Sequence, residues 1–149
     1  MSDGREDEMR ELAVNLEMQK AQMEKLLRQV DLIRSYLEEN LRAKETMTRF
    51  KDCNDGAEML IPIGANIFLF CRAGDRTKVV RGAGADIALE SPMDEAIQKL
   101  DERTTELREA EANLGKMQVD LERKMADVSK KLQSAYAEAR REGGQGRAG

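Results

Sequence analysis

The sequence predicts an α+β protein: a long antiparallel two-helix coiled coil with two β-hairpins at the bend. Three observations carry that expectation. In the N-terminal third, nine of twelve positions spaced three or four apart are apolar, along Met9, Leu12, Leu16, Gln19, Met23, Leu26, Val30, Ile33, Leu37, Asn40, Lys44 and Met47. In the C-terminal third, eleven of fourteen such positions are apolar, along Met93, Ile97, Leu100, Thr104, Leu107, Glu111, Leu114, Gln118, Leu121, Met125, Val128, Leu132, Ala135 and Ala139. A mean apolar spacing of 3.5 keeps one seam facing a partner helix, the condition for a coiled coil. Between the two runs lies a glycine-containing segment with β-like composition. Two heptad runs of similar length around such an insert predict a hairpin of helices.

The first helix is expected over about residues 5–51, some 70 Å at about 1.5 Å per residue. Asp3 is its expected N-cap, and Glu6, Asp7 and Glu8 suit the positive end of the helix dipole. Asn54-Asp55-Gly56 reads as a turn. The insert, about 57–90, is expected to hold four short strands, at about 58–61, 66–72, 78–81 and 86–90. Pro62-Ile63-Gly64-Ala65, Ala73-Gly74-Asp75-Arg76 and Gly82-Ala83-Gly84-Ala85 separate them. Glycine in these stretches is expected to supply the positive φ of hairpin turns. Ile67-Phe68-Leu69-Phe70-Cys71 is apolar on both strand faces. Four short strands cannot cover both faces, so partner chains are expected to do so.

Ser91-Pro92 opens the second helix, expected over about 92–141. Ser91 is the expected N-cap, Pro92 the first helical residue, and Asp94 completes an S-x-x-D box. Gly115 inside this helix costs about 1 kcal/mol relative to alanine. Thr104, Glu111 and Gln118 recur at one seam position, where a polar group costs stability and sets register. If Met47 meets Ile97, Asn40 faces Thr104 and Leu12 faces Leu132. Residues 142–149 read as a flexible tail. No repeat longer than the heptad is evident, and the whole 149 residues read as a single domain.

Composition excludes several functions. The chain is 36% charged and only 3% aromatic, too little bulk for a compact core but enough for a two-stranded seam. Its net charge of −4 is spread evenly, so no basic arm implies nucleic acid. No apolar run approaches 18 residues, so no transmembrane helix is expected. With no histidine and two cysteines 18 positions apart, Cys53 and Cys71, a metal site is not expected. Both thiols are expected to be reduced. Gly82-Ala83-Gly84 lacks the Lys-Ser/Thr of a phosphate loop and precedes a strand, so no nucleotide cofactor is expected. No residue constellation suggests an enzyme.

The insert also carries a resemblance. Leu60-Ile61-Pro62-Ile63-Gly64-Ala65, Val79-Val80, Gly82-Ala83-Gly84-Ala85 and the acidic helix start Asp94-Glu95-Ala96 resemble the pattern of the α-class prefoldin subunits of archaea. The order helix, two hairpins, helix is similar over about residues 8–140. Asn66, where the family often has glycine, and Cys71 depart from the pattern. The resemblance implies a cytoplasmic, ATP-independent chaperone. Two α and four β subunits would form a hexamer through a central double barrel of hairpins. Its coil tips would hold non-native proteins and pass them to a group II chaperonin.

Two residue sets follow. For assembly they are Ile61, Ile63, Ile67, Phe68, Leu69, Phe70, Val79, Val80, Ile87 and Leu89 in the insert. For client binding they are Met9, Leu12, Leu16, Val128, Leu132 and Ala135 on the seam, with Val14, Met18 and Tyr136 beside it. The ends of a two-stranded coil lack neighbours on one side and open at low cost. The competing expectation is a structural scaffold or tether that dimerises through its β insert.

Overall fold

A computed structural model describes residues 2–147. The chain runs α1 (Ser2–Asp52), β1 (Glu58–Gly64), β2 (Ile67–Arg72), β3 (Lys78–Gly82), β4 (Ala88–Pro92) and α2 (Met93–Arg147). The strands form two separate antiparallel hairpins, β1–β2 and β3–β4. The chain divides into two compact units. One comprises Met1–Ile33 and Ala110–Gly149, the other Arg34–Glu109 with both hairpins.

Helix pairing follows the heptads. All twelve seam positions of α1 from Met9 to Met47 are buried or half-buried. So are thirteen of the fourteen on α2, Ala139 being the exception. The buried helix residues of the hairpin-containing unit are Leu37, Met93, Ala96, Thr104 and Leu107; those of the other are Leu26 and Val30. Lys51 Nζ lies 2.5 Å from Asp94 Oδ1, and Lys44 Nζ lies 2.5 Å from Asp101 Oδ1. These pairs are one heptad apart on both helices and run in opposite senses, which sets the pairing antiparallel. The Thr104 hydroxyl is buried with no hydrogen-bond partner among the described residues. Its expected juxtaposition with Asn40 therefore yields no hydrogen bond.

Several local expectations are corrected. Helix α1 begins at Ser2, so Asp3 lies in its first turn rather than at its cap. Helix α2 continues through Arg147, so 142–147 extend the helix; 148 and 149 lie outside the described residues. Ser91 lies inside β4 instead of capping α2, and Pro92 ends that strand instead of opening the helix: Ser91 pairs with Val79, and its hydroxyl accepts a hydrogen bond from Arg81 Nε at 3.0 Å. Met93 N–H donates to Thr77 C=O, and Asp94 is engaged by Lys51. The start of α2 is thus held by distant segments.

The hairpin turns also differ in detail. Gly64 and Gly84 do take positive φ, at 106° and 84°. The central turn residues, however, are Ala65 and Asn66 (φ 50° and 58°) and Ala85 and Asp86 (47° and 60°). Positive φ at both central positions is the type I′ arrangement that matches strand twist. Asn and Asp tolerate it, whereas alanine there costs about 1 kcal/mol. Ile87 N–H closes the second turn onto Gly84 C=O at 2.9 Å. Gly-Ala-Asn-Ile and Gly-Ala-Asp-Ile therefore repeat 20 positions apart with one conformation, a repeat that heptad counting misses.

The connection between hairpins is polar. Asp75 Oδ1 accepts from the Thr77 amide at 2.8 Å and the Thr77 hydroxyl at 2.6 Å. These bonds, hydroxyl first, hold the Asp75 carboxyl below the usual aspartate range. Arg76 reaches Asp55 at 2.6 Å, and Ala73 N–H donates to Ala57 C=O, tying the connection back to the turn between α1 and β1.

Candidate functional site

Two surfaces stand out, and each belongs to one unit. The first is the pair of hairpins. Directly opposed residues on an antiparallel pair share a face. In β1–β2, Leu60 opposes Phe70 and Pro62 opposes Phe68, so both phenylalanines lie on one face. Ile61 opposes Leu69 on the other. Neither face is covered: Phe70 is 88% exposed, and Leu60, Ile61, Ile63, Ile67, Phe68 and Leu69 are all exposed. A two-stranded hairpin cannot bury both its faces, and one this apolar is marginal alone in water. Val80, Ile87 and Leu89 extend the exposed apolar surface to β3–β4.

Of the ten residues assigned to assembly from the sequence, nine are exposed in this way. Val79 is half-buried and turns toward the helices, in a groove shared with Met47, Ala96 and Leu100. Leu60 was missed, although its place opposite Phe70 makes it part of the same apolar face. Strand alternation with Ile61 was the available signal.

The second surface is the helix pairing of the other unit. Met9, Leu12, Leu16, Val128, Leu132 and Ala135 are half-buried on the seam. Val14, Met18 and Tyr136 are exposed. Tyr136 borders a shallow cleft with Glu6, Met9, Arg10 and Ala13, so the two helices do bring Tyr136 beside Met9. No deeply buried side chain occurs between residues 3 and 25 or between 108 and 144. The layers become tighter only at Leu26 and Val30. An ion pair between Arg5 and Glu142 links the helices there. Its hydrogen bond, then its charge, raises the Arg5 pKa above an already high value.

Among the described residues no cluster of three metal-ligating side chains occurs, and Cys53 and Cys71 are free. No described helix is long and apolar enough to cross a membrane. What the arrangement can do is bind: flat apolar strands suit other strands, and a loosely buried seam suits apolar segments.

Comparison with known proteins agrees in both sequence and shape. The prefoldin subunit family model matches residues 19–138. The chain is 30% identical over 98 residues to prefoldin subunit alpha of Methanothrix thermoacetophila, covering 66% of this chain and 64% of that one. It is 35% identical over 72 residues to the Methanopyrus kandleri subunit alpha, covering 48% and 46%. Against the Methanococcus aeolicus subunit alpha it is 33% identical over 91 residues, 61% of each chain. The matches thus span from about half to just under two thirds of those relatives. The fold is similar to a chain of the filamentous PFD from Methanocaldococcus jannaschii (TM-score 0.57, 20% identity, 82% of this chain and 95% of that one). It is equally similar to the prefoldin beta subunit from Thermococcus strain KS-1 (TM-score 0.57, 16% identity, 86% and 91%). With a family match across four fifths of its length, two long helices and two hairpins between them, this chain belongs to the prefoldin subunit family.

Proposed function

We propose that this chain is the α-class subunit of a cytoplasmic hetero-hexameric chaperone, assembled from two α and four β subunits. It holds non-native proteins without ATP, metal or any other cofactor and passes them to a group II chaperonin. The observation that carries the assembly half is the uncovered apolar surface on both faces of β1–β2, in a chain of the prefoldin family. Strand edges and apolar faces left open by one chain are covered most simply by the same elements of its neighbours.

The client half rests on the helix ends. Met9, Leu12 and Leu16 pair with the C-terminal part of α2 with only partial burial, beside exposed Val14, Met18 and Tyr136. Parting such layers costs little and presents apolar side chains to an unfolded chain. Several weak contacts on one client then add through effective concentration.

Mixing with a β-class prefoldin subunit tests the assembly. A hexamer is expected, and a stable homodimer that ignores the β subunit would favour the scaffold instead. Deleting about residues 1–16 and 130–149 tests the client site, by light scattering of an aggregating protein. Assembly is expected to survive and protection to weaken, with the β subunits contributing the remainder. Full protection by hexamers trimmed on every subunit would move the site elsewhere.

A further inference from the structure

The groove behind the second hairpin is bordered by a half-buried guanidinium, Arg81, with no carboxylate partner among the described residues. Its floor is Met47 from α1, Val79 from β3, and Ala96 and Leu100 from α2. Val80, 67% exposed, forms its lip. The groove encloses about 530 Å³, within the usual range for ligand sites. Its charged lining residues are Arg81, Lys99 and Arg103, with no carboxylate among them.

These cations are poorly satisfied. Lys99 pairs with Glu95 at 3.1 Å and Arg103 with Glu106 at 3.6 Å, both exposed pairs along one helix and therefore weak. Arg81 is half-buried, and its Nε donates to the neutral hydroxyl of Ser91. It has no carboxylate partner among the described residues. A guanidinium offers five donors, and removing it partly from water is unfavourable without a counter-charge. An apolar floor under a basic rim is complementary to an apolar side chain flanked by Asp or Glu.

We propose that this groove seats an acidic, apolar segment of a β-class partner subunit: one apolar side chain on the floor, its flanking carboxylates on Arg81 and Arg103. The proposal rests on the assembly reading above and names a contact beyond the exposed hairpin faces. Continuity favours a subunit over a client. Leu89 directly opposes Arg81 across β3–β4 and so shares its face, with Ile87 two residues before it on that same face, and both are exposed; a chain covering them also reaches the groove.

The test is association of the full chain with a β-class subunit, read by light scattering after gel filtration and by titration calorimetry at low and high salt. Arg81→Met keeps the apolar stem and removes the charge. Arg103→Glu reverses an exposed charge on α2 and spares the hairpin. Each is expected to weaken association about tenfold or more and to flatten its salt dependence, with the far-UV CD of the free chain unchanged. Wild-type affinity and salt dependence in both variants would overturn the groove assignment while leaving hexamer assembly intact. Failure of the wild type itself to join the β subunit would instead overturn the assembly reading. Loss of self-association alone, or of client protection in an intact hexamer, would give the groove a different occupant and overturn the proposal.

Discussion

Lys51 Nζ sits 2.5 Å from Asp94 Oδ1 and joins the last turn of α1 to the first turn of α2. The hydrogen bond to Asp94, then its charge, raises the Lys51 pKa above its ordinary value of 10.5. A raised folded pKa means the pair stabilises the fold fully below the ordinary lysine value. That contribution fades as pH climbs through the raised one. Asp94→Asn is therefore expected to lower the melting temperature slightly at pH 7 in low salt. The difference from wild type should shrink in 0.5 M salt and again above the lysine range. Thermal melts by CD at several pH values check this; a difference that persists at high salt would give Asp94 another role.

The buried Thr104 hydroxyl has no hydrogen-bond partner among the described residues. Leaving a buried hydroxyl unpaired costs about 1–3 kcal/mol. Thr104→Val, nearly the same shape, is expected to stabilise the helix pair by about 1 kcal/mol. Denaturant unfolding measures it, and a loss of stability would show that the hydroxyl is satisfied.

Gly115 occupies a helix interior where an added Cβ meets nothing within 4 Å. Its cost is then one of propensity alone, and no close approach requires glycine. Gly115→Ala is expected to gain about 0.5–1 kcal/mol. A melting temperature unchanged or lowered would point to a required soft spot in α2.

Phe70 projects 88% of its surface into solvent. Phe70→Asp should therefore leave helical CD and melting of the free chain nearly untouched. Association with β-class subunits should fall by more than tenfold, since burying that ring is worth about 2 kcal/mol and burying a carboxylate there is unfavourable. Normal assembly of the variant would remove β1–β2 from the interface.

Arg5 and Glu142 are paired across the helix ends, among layers only partly buried. Glu142→Ala should ease parting of those ends, seen as faster amide exchange in residues 5–16. If the ends hold clients, protection against aggregation should rise modestly at low salt and match wild type at high salt, where the pair is screened. Faster exchange without any change in protection would separate opening from capture.

Much of this molecule could be read along the chain. Periodicity alone located the seam: every α1 position it named from Met9 to Met47 is withdrawn from solvent. Heptads encode which side of a helix is apolar, and that property needs no knowledge of the partner. The apolar run at Ile67–Cys71 and the glycines around it likewise announced strands with two unmet faces. Tertiary structure decided which atoms meet. Ser91 and Asp94 carry the sequence signature of a helix cap, yet Arg81 takes the serine hydroxyl and Lys51 the aspartate carboxylate. Val79 and Val80 look alike in sequence, but strand alternation against the helices turns one inward and leaves the other in solvent. The basic groove exists only because β3 brings Arg81 over α2 beside Lys99 and Arg103. Local propensities are set by near neighbours in the chain; the choice of hydrogen-bond and ion-pair partners depends on distances that exist only once distant segments have packed.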